Sequence, residues 1–172
     1  GQHNRSNALA AIAAAAHVGV SAESAIRGLE TFRGVKRRLA LFGQAGGVQV
    51  YDYFAHHPTA INVTIAALRE REGQGRILAV LEPRSNTMKL GTMKSALPGS
   101  LTDADVVFGY GAKGNGPGAL GWDLGEALSP LGSKARTFDA IDALVQAIVQ
   151  AARPGDQILV MSNGGFGGVH QK

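Results

Sequence analysis

The sequence predicts an α/β fold: a mostly parallel sheet with helices on both faces, an antiparallel hairpin at its start, and two helices ahead of the hairpin. Three observations carry this. Short, continuously apolar runs at 76–81, 105–108 and 157–161 alternate with longer segments of helical period, the pattern of parallel strands buried on both faces. The segments 38–42 and 48–53 flank Gly46-Gly47, a hairpin signal. Before residue 35 the texture is different, with alanine-rich helical sequence and no strand.

The elements follow in order. Residues 4–17 form a helix with Leu9, Ile12, Ala13 and Ala16 on one face, ended by Gly19. Ser21 caps a second helix over 22–32, with Ile26 and Leu29 on one stripe, closed by Gly34. After the hairpin, a helix over 59–72 carries Ile61, Ile65 and Leu68. The strand at 76–81 leads to a helix over 87–97, stopped by Pro98-Gly99. The strand at 105–108 runs into a glycine-rich loop from Gly109 to Gly121. A short helix near 123–129, a strand at 135–138 and a helix over 139–152 with Ile141, Leu144, Val145 and Ile148 on one face come next. Pro154-Gly155 turns the chain into the strand at 157–161, which ends in Ser162-Asn-Gly-Gly-Phe-Gly-Gly168. A boundary near 35 separates residues 1–35 from an α/β domain over 36–172.

Bulk properties narrow the function. The 172 residues are 45% hydrophobic and 17% charged, enough for a sizeable core. With no Cys, disulfides and thiolate metal sites are excluded. No apolar run reaches the length of a membrane span. The net charge of +4, densest at Arg33, Lys36, Arg37 and Arg38, suits an anionic small molecule. Nucleic acid fits less well, because aromatics are only 6% and the other basic residues are mixed with acids. The first residue is Gly and the last follows an incipient helical turn, so both ends read as cuts in a longer protein.

Five constellations carry candidate chemistry. His3, Asn4 and Asn7 precede the first helix. They serve either as caps or as a polar edge for a nucleobase, which an Asn amide suits because it both donates and accepts. Arg38 begins the hairpin and Asp52 ends it, so the two are expected to meet: as a surface salt bridge, or with Arg38 on a phosphate and Asp52 on a ribose hydroxyl. His56-His57 follow at the passage from strand to helix. Adjacent residues chelate one ion poorly, so no metal site is assigned, and His56 is placed by a phosphate or as an organiser of the loop. Arg84, Ser85, Asn86, Thr87 and Lys89 stand between a strand and a helix N-terminus, with positive charge suited to a carboxylate. Ser162, Asn163 and Phe166 lie in the last glycine-rich turn. The loop at Gly109–Gly116 lacks the Walker A spacing, the turn at Ser162–Gly168 has neither that nor the dinucleotide fingerprint, and no activated Ser nucleophile is assignable.

Taken together, Gly1-x-His3-Asn4-x-x-Asn7-Ala-Leu-Ala, Phe32-x-Gly34-x-x-x-Arg37-Arg38 and Asp52-Tyr-x-x-His56-His57-Pro58-Thr59 resemble the Mur ligase family, in its order and across essentially the whole chain. The resemblance implies a three-domain, cytoplasmic, ATP- and Mg²⁺-dependent ligase of cell-wall assembly. Residues 1–35 would be the last helices of the central ATP-binding domain, and 36–172 the Rossmann-like C-terminal domain. It implies that His3, Asn4 and Asn7 lie near adenine, Arg38 at the phosphates, Asp52 at the ribose and His56 in the neighbouring loop. The loops at Arg84–Lys89 and Ser162–Gly168 would face the acceptor. Glu82-Pro-Arg-Ser-Asn-Thr-Met-Lys89 is most similar to the branch of the family that joins UDP-N-acetylmuramate to the tripeptide L-alanyl-γ-D-glutamyl-meso-diaminopimelate in cell-wall recycling. A ligase adding L-alanine is the alternative within the family, and a non-catalytic module binding an anionic ligand is the alternative outside it. The partners implied are those substrates and the protein's own N-terminal and central domains, with neither nucleic acid nor membrane. The phosphate-binding lysine and metal ligands are implied to lie outside this sequence, so residues 1–172 alone are expected to be inactive.

Overall fold

A computed structural model describes residues 2–35, 37–54, 57–111 and 119–171. The chain divides into two compact units, residues 1–36 and 37–172.

The first unit is a pair of helices, α1 (Gln2–His17) and α2 (Ala22–Glu30). Ser21 caps α2 as its sequence predicts, its side chain accepting from the Ser24 N–H. The buried stripe of α1 differs from expectation. Ala8, Ile12 and Ala15 are the half-buried positions, while Leu9 is 68% exposed. Alanine nearly all round leaves no directional signal in the sequence, so tertiary contact chooses the face.

The second unit is a six-stranded sheet in the order β1-β2-β6-β3-β4-β5, in which only β1 runs antiparallel. Its strands are β1 (Arg38–Ala45), β2 (Val48–Tyr53), β3 (Ile77–Leu81), β4 (Val106–Tyr110), β5 (Ala135–Phe138) and β6 (Gln157–Met161). Gly46 and Gly47, at φ 56° and 77°, make the turn between β1 and β2, where a side chain would be strained. β6 returns last and inserts between β2 and β3. The C-terminal ends of β2, β6 and β3 therefore lie side by side where the strand order switches, the expected crevice of an open α/β sheet.

Period-two alternation sorts each strand between two cores. On one face Tyr51, Tyr53, Ile77, Ala79, Leu81, Leu159 and Met161 pack against α3 (Pro58–Glu72), α4 (Asn86–Lys89), α5 (Leu97–Ser100) and α6 (Leu124–Leu128). Ile61, Ile65 and Leu68 of α3 are fully buried there, as their spacing predicts. On the other face Leu78, Val80, Phe108, Ile158 and Val160 pack against α7 (Ile141–Ala151) and the 3-10 turn Phe166–Gln171.

One helix differs from the sequence expectation. The segment expected to be continuous over 87–97 is a single turn, α4, then a bend at Gly91, a 3-10 turn Lys94–Ala96 and α5. Gly91 has φ 72°, and a Cβ there would stand 2.9 Å from Trp122 Cδ1, so the indole occupies the space a helix would need. Pro98 does not stop a helix but occupies the first turn of α5, where its missing N–H costs nothing.

Candidate functional site

The alternation that builds the second core continues past it. Asp52 lies in one row with Val160 and Val80 across β2, β6 and β3, and the next outward residues of that parity on β6 and β3 are Ser162 and Glu82. Three apolar strands thus end in a carboxylate, a hydroxyl and a second carboxylate on one rim. All three are buried: Asp52 is 8% exposed, Glu82 9% and Ser162 0%. Polar groups at such depth require partners.

Arg37 supplies them on one side. Its Nε donates to Asp52 Oδ2 at 2.8 Å and its Nη2 to Oδ1 at 3.4 Å. The same Nη2 donates to the carbonyls of Ser162 at 2.9 Å and Gly164 at 3.2 Å. The guanidinium also lies 5.3 Å from the Phe54 ring centroid. On the other side Ser162 Oγ donates to Glu82 Oε2 at 2.5 Å and accepts from the Gly164 N–H at 3.0 Å. Arg84 Nη1 approaches Glu82 Oε1 at 3.7 Å. The rim is one hydrogen-bonded chain from Arg37 to Glu82, with Arg84 as an ion pair at its end.

This corrects the expected pairing of Arg38 with Asp52. The guanidinium at Asp52 is that of Arg37. Arg38 pairs with Tyr53 in the ladder, with Nη1 3.5 Å from the phenol oxygen and the guanidinium 5.9 Å from the ring centroid. The cause is register. An unbroken ladder from Ala45↔Val48 would carry Arg38 two residues past Tyr53, but β1 is interrupted between Leu41 and Gly43 and again between Arg38 and Ala40. The two shifts bring Arg38 back level with Tyr53, on the face opposite to that of Asp52. It is exposed at the rim.

The other expected residues sort by burial. Asn4 and Asn7 lie three residues apart within α1, both exposed, so neither caps the helix, which begins at Gln2. His3 is in α1, but its side chain, all of His56 and residues 112–118 of the glycine-rich loop lie outside the described residues. His57 caps α3, Nδ1 accepting from the Thr59 N–H at 3.2 Å. Ser85 is the N-cap of α4, its Oγ accepting from Met88 N–H at 3.2 Å. Asn86 and Thr87 are exposed and Lys89 half-buried. Because α4 has only 4 residues, its dipole adds little, and positive charge at this loop rests on the half-exposed Arg84 and on Lys89.

Ser162 is sealed and acts through Glu82 and Gly164 rather than on a ligand. Phe166 is not presented to a ligand either. It is 0% exposed and packs on Tyr110 with ring centroids 5.8 Å apart. Asn163 is half-buried, and its Oδ1 is buried without a partner. Arg37, Glu82 and Gly164 received no role from sequence. The available signal was Glu82, a carboxylate directly after five apolar strand residues, where burial is expected.

Residues 37–164 match the sequence profile of the family described as "Mur ligase, glutamate ligase domain". The chain belongs to the Mur ligase family. Over its whole length it is 51% identical to the UDP-N-acetylmuramate–L-alanyl-γ-D-glutamyl-meso-2,6-diaminoheptandioate ligase of Escherichia coli K12, of which it spans 37%. It is 36% identical to the UDP-N-acetylmuramate–L-alanine ligase of Rhizobium etli, over 95% of this chain and 36% of that protein. A crystallised murein peptide ligase from Psychrobacter arcticus 273-4 superposes on 99% of the chain, covering 36% of its own, with a TM-score of 0.77 and 40% identity. The Mur ligase fold expected from sequence is thus the fold observed, and the rim of Arg37, Asp52, Ser162, Glu82 and Arg84 is this Mur ligase chain's polar edge.

Proposed function

We propose that this chain is part of an ATP-dependent ligase that joins UDP-N-acetylmuramate to the tripeptide L-alanyl-γ-D-glutamyl-meso-diaminopimelate. The observation that carries this is the identity of about half across the entire chain to two ligases of that description, against 34–39% to L-alanine ligases. Residues 1–36 would belong to the ATP-binding domain and 37–172 to the domain that delivers the acceptor. ATP and the nucleotide sugar place the reaction in the cytoplasm.

In the reaction a carboxylate oxygen of the sugar attacks the γ-phosphorus of ATP and ADP departs. The tripeptide amine then attacks the acyl carbon, phosphate leaves and the amine loses a proton. Positioning and charge neutralisation carry such chemistry. The exposed Arg38 guanidinium suits a phosphate. Asp52, held at the rim by Arg37, is the proposed contact for a ribose hydroxyl, from which its carboxylate can accept. His3, Asn4, Asn7 and His56 remain proposed nucleotide contacts. Arg84, with Asn86, Thr87 and Lys89 beside it, suits a carboxylate of the acceptor, and Asn163 Oδ1 suits one of its N–H groups. Among the described residues no group of three His, Cys, Asp or Glu side chains converges as metal ligands, and the Mg²⁺ of the full-length enzyme would be held by residues outside them.

The test is a substrate panel with the full-length protein, following ADP release with tripeptide, L-alanyl-D-glutamate and L-alanine. Tripeptide is expected to be preferred by orders of magnitude in kcat/KM. Comparable turnover with L-alanine would overturn the proposal in favour of the alanine ligase.

A further inference from the structure

We infer that Gly164 is the seat of the Arg84 guanidinium, a positioning residue for the acceptor end of the reaction; this rests on the reading of Arg84 given above. The backbone of Gly164 is not in the left-handed region, unlike Phe166, Gly167 and Gly168 farther along the same turn. Chain conformation therefore does not require glycine at 164. What excludes a side chain is Arg84: a Cβ on Gly164 would stand 2.7 Å from Arg84 Cδ, 2.9 Å from Nε and 3.2 Å from Cζ. The stem of Arg84 lies directly on the glycine α-carbon.

The seat is itself fixed on both sides. Its N–H is held by Ser162 Oγ at 3.0 Å and its carbonyl by Arg37 Nη2 at 3.2 Å. Ser162 Oγ is held in turn by Glu82, whose other oxygen faces the Arg84 fork at 3.7 Å. Arg84 is thus supported along its stem by a glycine and at its tip by a carboxylate, and both supports are joined through one buried hydroxyl. Although 49% exposed, the Arg84 side chain has a rest for its stem and a partner for its tip. Its planar fork meets a carboxylate without first being ordered. The seat couples the loop after β6 to the loop after β3, so a change in either would misplace the recognition group.

The experiment uses the full-length enzyme and four proteins: parent, Gly164→Ala, Arg84→Ala and the double variant. Arg84→Ala is expected to raise the KM for tripeptide by about 10- to 100-fold, the loss of a charge-assisted contact. Gly164→Ala is expected to raise it by about tenfold, because displacing a positioning group by roughly 1 Å is costly to recognition. The KM for ATP and the unfolding temperature should stay at parental values, since only a flexible stem must yield. The double variant should match Arg84→Ala, because without the guanidinium the seat has nothing to place. If Arg84→Ala raises the tripeptide KM and Gly164→Ala does not, the seat falls alone. Multiplicative effects in the double variant overturn it as well. An unchanged tripeptide KM in Arg84→Ala removes the Arg84 reading and the seat with it. Should Gly164→Ala fail to fold, the double variant must fold, because the clash is with Arg84; failure of both overturns the inference.

Discussion

Replacing Arg37 by Ala removes the guanidinium that closes the rim. Asp52, 8% exposed, loses its bidentate partner, and the carbonyls of Ser162 and Gly164 lose a donor. Truncating one member of a buried ion pair costs about 3–5 kcal/mol. The Arg37 side chain retains 27% of its exposure, so water can reach part of the gap, and the expected loss falls to about 2–3 kcal/mol. With a urea slope of about 1.5 kcal/mol/M, the unfolding midpoint drops by roughly 1.3–2 M. The assay is urea unfolding of the 172-residue chain followed by circular dichroism. Arg38→Ala is the comparison: its side chain is exposed and its polar contact among the described residues is 3.5 Å long, so it loses at most about 0.5 kcal/mol. Asp52→Ala removes the same pair from the other side, and Arg37→Ala/Asp52→Ala should lose less than the sum of the singles. The reasoning is refuted if Arg38→Ala is the more destabilising, or if the Arg37 and Asp52 losses simply add.

In the full-length enzyme Arg38→Ala should raise the KM for ATP by roughly tenfold, from a lost charge-assisted contact, while the unfolding temperature and tripeptide KM hold; parental ATP kinetics would remove Arg38 from the nucleotide site. At the opposite end of the sheet, burial alone would raise the Asp105 carboxyl. The Ile77 N–H, Arg69 and the Arg76 charge outweigh it and hold the carboxyl below its ordinary value of 3.8. A group depressed in the folded state stabilises above its unfolded value, and that contribution is lost as pH falls through the folded one. Asp105→Asn should therefore be less stable at neutral pH and decline less steeply in acid, read as unfolding temperature against pH; parallel curves would contradict this. Gly91→Ala meets both φ 72° and the Trp122 ring 2.9 Å away, so it should cost about 1–3 kcal/mol and shift the emission of the chain's sole tryptophan; an unchanged spectrum would show that the indole is not held there.

Much of the fold was legible because its signals are local. The apolar runs at Ile77–Leu81 and Gln157–Met161 stayed strands, and the glycine pair stayed the hairpin turn. Ser21 capped its helix, and Ile61, Ile65 and Leu68 became core. In the site, sequence named Asp52, Arg84 and Ser162 but not what holds them. Arg37 and Glu82 act on residues 15 and 80 positions away, and Gly164 acts by lacking atoms, which no residue pattern displays.

Taken alone, the sequence determined the alternation of strand and helix, the family and the rim's chemical types, because periodicity, caps and turn residues act within a few positions. The tertiary structure decided which arginine grips Asp52, where Gly91 breaks the helix and that Phe166 is core. Each depends on a register shift or a neighbour distant in the chain, and a shift of one residue moves a side chain to the other face of the sheet.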